Sequence, residues 1–358
     1  MKLAIDCRML GSGGIGSYLS ALLPFFIKKY ECFLIGYKKD LELFQTEQSV
    51  KTLLCDFPPF SVKELFAFPK EVLEQINSCG AYYTPYCNIP SGIKVPVFST
   101  IHDVVFLDVP DLASKIGTIV RKWFYKRAIN KSKMIFTVSN FSKERIQQRL
   151  NCKNTPIIVT YNALPHWFDS KKINSVEKTD TILFVGNIKK HKGLHTLLPA
   201  FNLATKPTEQ GGFDIKAQLV IVGNAENFRS GDTSIVEEIN AMPKEAVQFT
   251  GRISDEKLLD LYRSAKLLVQ PSLYEGFGMP PLEALSLGTN VVLSDIPVFR
   301  EIYKDFPVTF FKAGDSKDLA KKIAETWIKD KPKNLPKKYS FEKTAQIIFE
   351  NIDSELGH

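Results

Sequence analysis

Three things are missing from this chain. No apolar run approaches the ~20 residues that span a bilayer, no two of its six cysteines have Cys-x-x-Cys spacing, and no Asp-x-Asp occurs anywhere. Each absence excludes a class. The opening MKLAIDCRML is too short for a signal peptide and is soon interrupted by Asp6 and Arg8, so it reads as a first β-strand. Without paired spacing, Cys7, Cys32, Cys55, Cys79, Cys87 and Cys152 read as reduced thiols of a cytoplasmic protein, not as a zinc site or a disulfide scaffold. Without clustered carboxylates, no divalent ion is expected to carry a phosphorylated ligand. Zinc-finger spacing and the aromatic pattern of RNA-binding modules are also lacking, so nucleic acid is not the expected partner despite a pI near 9.0.

What is there fits a soluble globular protein. At 358 residues with 44% hydrophobic and 24% charged content, the chain is neither disordered nor fibrous, and its length suits two domains of about 150–200 residues. Short apolar runs alternate with helical patterns throughout, the signature of parallel α/β sheets. Strands are predicted at Leu3–Asp6, Cys32–Gly36, Ala81–Thr84, Val97–Ile101, Met134–Val138 and Ile157–Thr160, then at Thr181–Val185, Ala217–Val222, Ala246–Phe249, Leu267–Gln270, Asn290–Leu293 and Val308–Phe311. The polar segment 169–180 is the expected linker, separating an N-terminal domain (1–170) from a C-terminal one (171–340), with a terminal amphipathic helix over 341–358. Two doubly wound domains would then face each other across a cleft lined by the carboxyl ends of their strands.

The charge is lopsided. Residues 1–170 hold 21 Lys/Arg against 14 Asp/Glu, whereas 171–358 hold 26 against 25. The basic half suggests an anionic partner. Its densest stretch, Lys115 to Lys133, sets Arg121, Lys122, Lys126, Arg127 and Lys131 around Trp123, Phe124 and Tyr125. Such a helix either packs its aromatic face inward or docks on an anionic membrane.

Chemistry concentrates in residues 269–295, VQPSLYEGFGMPPLEALSLGTNVVLSD. A strand ends at Pro271, a loop with Gly276 and Gly278 follows, and Pro280 marks a helix start, where a missing N–H is tolerated. Amides around Phe277, Gly278 and Met279 at that helix start form a ready phosphate site. Glu275 lies before this turn and Glu283 on the first helical turn, two carboxylates suited to the hydroxyls of a hexose and a ribose. GSGGIGSY (11–18) supplies Gly14 and Gly16 for close backbone approach, with a helix starting near Gly16 or Ser17. Its spacing is not the dinucleotide fingerprint, which disfavours a nicotinamide or flavin cofactor. His102 ends an apolar strand, while His166, His191 and His195 read as loop or surface residues.

The string E-G-F-G-x-P-x-L-E-A with its E-x7-E spacing resembles the retaining glycosyltransferases of family 4 (group 1), which have the GT-B fold of two Rossmann-like domains. FVGNIKKHKGLHTLLPA (184–200), FTGRISDEKLLDLYR (249–263), IHDVV (101–105), FTVSNFSKE (136–144) and YSFEKTAQIIFENI (339–352) extend the resemblance over nearly the whole chain. It implies a metal-independent hexosyl transfer with retention from a nucleotide-sugar donor, GDP-mannose first and UDP- or dTDP-hexoses next. The acceptor would be a saccharide or lipid-linked saccharide in surface-polysaccharide synthesis. Lys192 would neutralise the departing diphosphate, Glu275 orient the hexose, His102 lie near the sugar, Arg252 and Ile253 flank the base, and Glu283 hold the ribose. Asn187 stands where many members carry an arginine, so one donor-facing charge is absent. A nucleotide-sugar epimerase of the same fold is the alternative.

Overall fold

The computed structural model describes residues 1–110, 112–152, 154–165, 168, 176–223 and 233–357. The chain falls into two compact units: Met1–Asp108 with Ser114–His166 and Tyr339–His358, and Val109–Ala113 with Trp167–Lys338. Most of the expected linker, 169–175, and His166 lie outside the described residues.

The first unit is a seven-stranded sheet ordered β3-β2-β1-β4-β5-β6-β7, made of β1 (Lys2–Asp6), β2 (Glu31–Gly36), β3 (Val50–Leu54), β4 (Ala81–Thr84), β5 (Val97–Thr100), β6 (Met134–Thr137) and β7 (Ile157–Val159). The second is six-stranded, β10-β9-β8-β11-β12-β13, from β8 (Thr179–Val185), β9 (Gln218–Val222), β10 (Val247–Gly251), β11 (Ala265–Gln270), β12 (Asn290–Ser294) and β13 (Thr309–Phe311). All pairings are parallel. Helices cover both faces, which is why central strands such as Leu3–Asp6 and Leu267–Gln270 are buried at every position.

Three expectations need correction. β3 was not anticipated: as an edge strand it is only half-buried, and VKTLL lacks the unbroken apolar run that marks the others. β8 begins at Thr179, two residues early, because Thr179 already pairs with Ala265. The first helix, Gly13–Lys29, starts a turn before Gly16, since Gly13 enters it at φ +53° and Ser12 precedes it in extended conformation. The helix Phe341–Leu356 lays Phe341, Ala345, Ile348 and Ile352 into the core of the first unit, beside Leu22 and Phe26. All six cysteines are free thiols and four of them are buried.

Candidate active site

In each sheet the strand order reverses at one point, between β1 and β4 and between β8 and β11. Loops leaving two neighbouring strands there run in opposite directions and open a crevice, the place where such sheets bind ligands. Asn187, Lys192, Glu275 and the 276–279 loop of the second unit follow the two strands at its reversal, β8 and β11, whereas Arg252 and Ile253 do not.

Lys192 follows β8 and Glu275 follows β11. The Lys192 ammonium donates to both Glu275 oxygens at 2.8 Å, with the two side chains 18% and 10% exposed. Gly193 makes this approach possible. At φ +77° it accepts a conformation unfavourable to other residues, and a Cβ there would sit 2.0 Å from the Pro271 carbonyl oxygen. Ser272 Oγ donates to Glu275 Oε1 at 2.8 Å, and Gln270 Nε2 does so at 3.4 Å. Burial alone would raise the Glu275 carboxyl, but Lys192 and Ser272 outweigh it and hold it below the usual carboxylate range. Glu275 is therefore a fixed anion. An ammonium has three donors, and among the described residues two are engaged, so one N–H of Lys192 remains for an incoming oxygen.

His191, expected as a loop or surface residue, lies on the loop after β8 but is buried. Its backbone carbonyl accepts from Leu273, tying the two loops together, and burial, then neighbouring Lys192, lowers its ring to about 4. Two buried atoms beside the pair, His191 Nδ1 and Gln270 Oε1, have no hydrogen-bond partner among the described residues.

Behind Glu275, Gly276 and Phe277 lead to the helix Met279–Ser286, capped by Gly278 at φ +85° with prolines at its start. The left-handed Gly278 is held by Tyr303, whose hydroxyl donates to its carbonyl. Because the helix begins at Met279, Glu283 falls on its second turn and not its first. Glu283 Oε2 accepts from the Tyr262 hydroxyl at 2.7 Å. Burial raises Glu283 to about 7, partly offset by Tyr262. Sequence reasoning missed Tyr262 because a tyrosine three-quarters along an amphipathic helix (Asp255–Ser264) reads only as core. Arg252 and Ile253 follow β10, at the far edge of this sheet from β13, and Arg252 is exposed. Asn187 is exposed on the loop after β8.

Gly14 and Gly16 follow β1 at the reversal point of the first unit, and His102 follows β5, the next strand beyond β4. Gly16 serves packing: its N–H donates to Ser12, and a Cβ would lie 2.3 Å from the Leu10 carbonyl oxygen. Gly13 and Gly14 face open space. His102 Nε2 lies 3.0 Å from the Pro85 carbonyl, which can only accept, so the proton sits on Nε2 and Nδ1 keeps a lone pair. Burial lowers the ring to about 4, only partly countered by Pro85, so it is neutral at pH 7. The Tyr18 ring meets it edge-on at 4.9 Å.

Comparison with known proteins places this architecture. The Glycosyl transferases group 1 family matches residues 165–345, and Glycosyltransferase Family 4 matches residues 13–166. The O-antigen chain mannosyltransferase RfbU of Salmonella typhimurium is 31% identical over 203 residues, covering 57% of this chain and 53% of that protein. The O-antigen chain mannosyltransferase B of Escherichia coli is 25% identical over 235 residues, covering 63% and 59%. The matched segments thus span little more than half the length of these relatives. Anabaena Alr3699/HepE, solved in complex with UDP and glucose, superposes with a TM-score of 0.67 over 99% of this chain and 100% of its own, at 17% identity. The two doubly wound sheets are those of the GT-B fold. The chain belongs to the group 1 glycosyltransferases of family 4.

Proposed function

We propose that this protein transfers a hexose, mannose first among candidates, from a nucleotide-sugar to a saccharide or lipid-linked saccharide with retention at the anomeric carbon. One observation carries the reading: a lysine and a glutamate from the two loops at the β8/β11 reversal meet in front of a helix N-terminus. The diphosphate would lie on the amides of Gly278 and Met279, just ahead of Pro280 and Pro281, which have no N–H, and on the spare Lys192 N–H. Glu275, kept ionised, would accept from hexose hydroxyls, and Glu283 from the ribose. As the glycosidic bond to phosphate lengthens, negative charge grows on the leaving oxygen beside Lys192. An acceptor hydroxyl attacking from the same face, its proton passing to that phosphate, gives retention. Mannose is favoured because two relatives are mannosyltransferases of O-antigen chains, although HepE was crystallised with UDP and glucose. The enzyme would work in the cytoplasm, at the inner face of the membrane that holds its acceptor.

A thermal-shift panel of GDP, UDP, dTDP and ADP tests the donor. A ligand of the native state at one hundred times its Kd stabilises by about 2.7 kcal/mol, so GDP should raise Tm most. A larger rise with UDP would replace mannose with a UDP-hexose, and no rise with any would remove the donor site. Donor incubated without acceptor should keep its configuration; an epimerised sugar would overturn transfer.

Glu283 makes donor affinity pH-dependent. A ribose hydroxyl donates best to the charged carboxylate, and Glu283 ionises at about 7 in the free protein. The Kd for a nucleotide-sugar, whose diphosphate diester does not titrate near neutrality, should therefore weaken as pH falls below 7, approaching tenfold per pH unit. Tyr262→Phe should move this midpoint upward by removing a donor to the anion, and Glu283→Gln should abolish the dependence. Titration calorimetry at several pH values checks it; a flat wild-type profile would take Glu283 out of ribose binding.

A further inference from the structure

The basic helix Lys115–Lys131 contains no acidic residue and is capped by Ser114, whose hydroxyl accepts from Gly117. Its aromatic cluster splits between inside and outside. Tyr125, Ala128 and Ile129 are buried, whereas Ile116 is 75%, Ile119 68%, Val120 44% and Trp123 49% exposed. At about 100° per residue, these four exposed residues fall in a single arc of about 100°, roughly opposite the buried face. The same geometry puts Lys115, Lys122 and Lys126 along one edge of that arc, within about 40° of each other. All three lysines are exposed. The arginines do another job: Arg121 stacks on Phe106 at 4.2 Å, and Arg127 donates to the Ile89 carbonyl and to Ser91 Oγ, fastening the helix to its unit.

We propose that this stripe is a docking surface for an anionic lipid bilayer, with Ile116, Ile119, Val120 and Trp123 entering the headgroup–acyl boundary and Lys115, Lys122 and Lys126 on lipid phosphates. The proposal rests on the membrane-side reading given above and names the surface responsible. Charge complementarity selects the occupant. A second copy would bring one all-basic helix against another, whereas an anionic membrane neutralises every exposed lysine, and an indole suits the interface because one edge is apolar and the other wet. Among the described residues no helix is long and apolar enough to cross a membrane, so attachment here is peripheral.

The full-length protein is floated with vesicles of phosphatidylcholine alone and of phosphatidylcholine with about one-third phosphatidylglycerol, using the surface attraction per lysine as the yardstick. Binding is expected to the anionic vesicles only and to fall with added salt. Lys115→Gln/Lys122→Gln/Lys126→Gln should weaken it on the order of 100-fold, about fivefold per lysine. Ile119→Ser/Trp123→Ser should abolish it, and brominated acyl chains should quench wild-type tryptophan fluorescence but not that of Trp123→Phe. Donor-induced thermal shifts should be the same in all variants, so loss of lipid binding and loss of the donor site read out separately. Equal binding to neutral vesicles, undiminished binding by the serine variant, or a lipid-free dimer that this variant dissociates would each overturn the proposal.

Discussion

Lys192→Ala should lower kcat by about 10²–10³, the loss typical when one preorganised donor to a developing anion is removed. The reasoning starts from the free protein. There the ammonium is already bound to Glu275, so its position is set before substrate arrives and no reorganisation is needed as the leaving phosphate gains charge. Because the bound diphosphate is already anionic and gains further charge towards the transition state, kcat/KM should fall further than kcat, the difference being the loss of donor affinity. The variant also releases Glu275. Burial, the largest influence on that carboxyl, would then act with little opposition and raise its pKa from the depressed value it now has. The acid limb of the kcat–pH profile should consequently move to higher pH in Lys192→Ala than in wild type. Glu275→Gln and the double variant complete a cycle, and the pair should couple strongly since the two side chains touch. Turnover of Lys192→Ala within threefold of wild type would show that this ion pair only joins two loops.

Much of this arrangement was legible in the order of residues, for identifiable reasons. Strands buried on both faces leave continuous apolar runs, so twelve of the thirteen strands were predicted and two doubly wound sheets could be inferred, and the half-buried β3 escaped because its side chains see water. Glu275 and Glu283 stood out because they flank the glycines and prolines of a tight strand–loop–helix turn, and Lys192 because the string 184–200 resembles the family's lysine-bearing turn. That Lys192 and Glu275 meet is a different matter. They are 83 residues apart in sequence, and their contact depends on β8 and β11 being neighbours, which is topology and not local pattern. His191 misled for a related reason: a histidine between lysines looks solvated, yet the β11 loop closes over it. Tyr262 and the network around Arg8 left no local signal, since a buried hydroxyl or ion pair is defined by partners from distant segments.

That network sets the second large effect. Arg8, just after β1, is buried with Asp6 and Glu64. Its guanidinium donates to Asp6 through Nε at 2.9 Å and Nη2 at 2.5 Å, and to Glu64 Oε1 at 2.5 Å. Tyr82 and Tyr86 donate to Asp6 Oδ2, Tyr86 also to Glu64, and Asn88 to the other Glu64 oxygen. Two carboxylates thus share one cation away from water. Burial pushes Glu64 up to about 7 even though Arg8 pulls it down, whereas burial of Arg8 is outweighed by Asp6, which keeps the guanidinium charged. Arg8→Met should cost about 3–5 kcal/mol at pH 8, the penalty of stranding a buried charge, read by urea unfolding. The sign of its pH dependence follows from Glu64. In the variant its folded pKa lies further above the unfolded value, so the folded state holds a proton that the unfolded state releases. Stability is then lost as pH rises through neutrality, and the gap to wild type should narrow towards pH 5, where Glu64 is neutral in both. Glu64→Gln tests the same account from the other side. Its amide oxygen can still accept from Arg8 and Tyr86, and a turn of the Asn88 amide, whose nitrogen now faces Glu64, brings the Asn88 oxygen round to accept from the new amide nitrogen, so this variant should lose far less and unfold with a flatter pH profile than wild type. A pH-independent cost in Arg8→Met would mean that the arginine contributes through packing on Phe68, 5.0 Å from its guanidinium carbon, and not through charge.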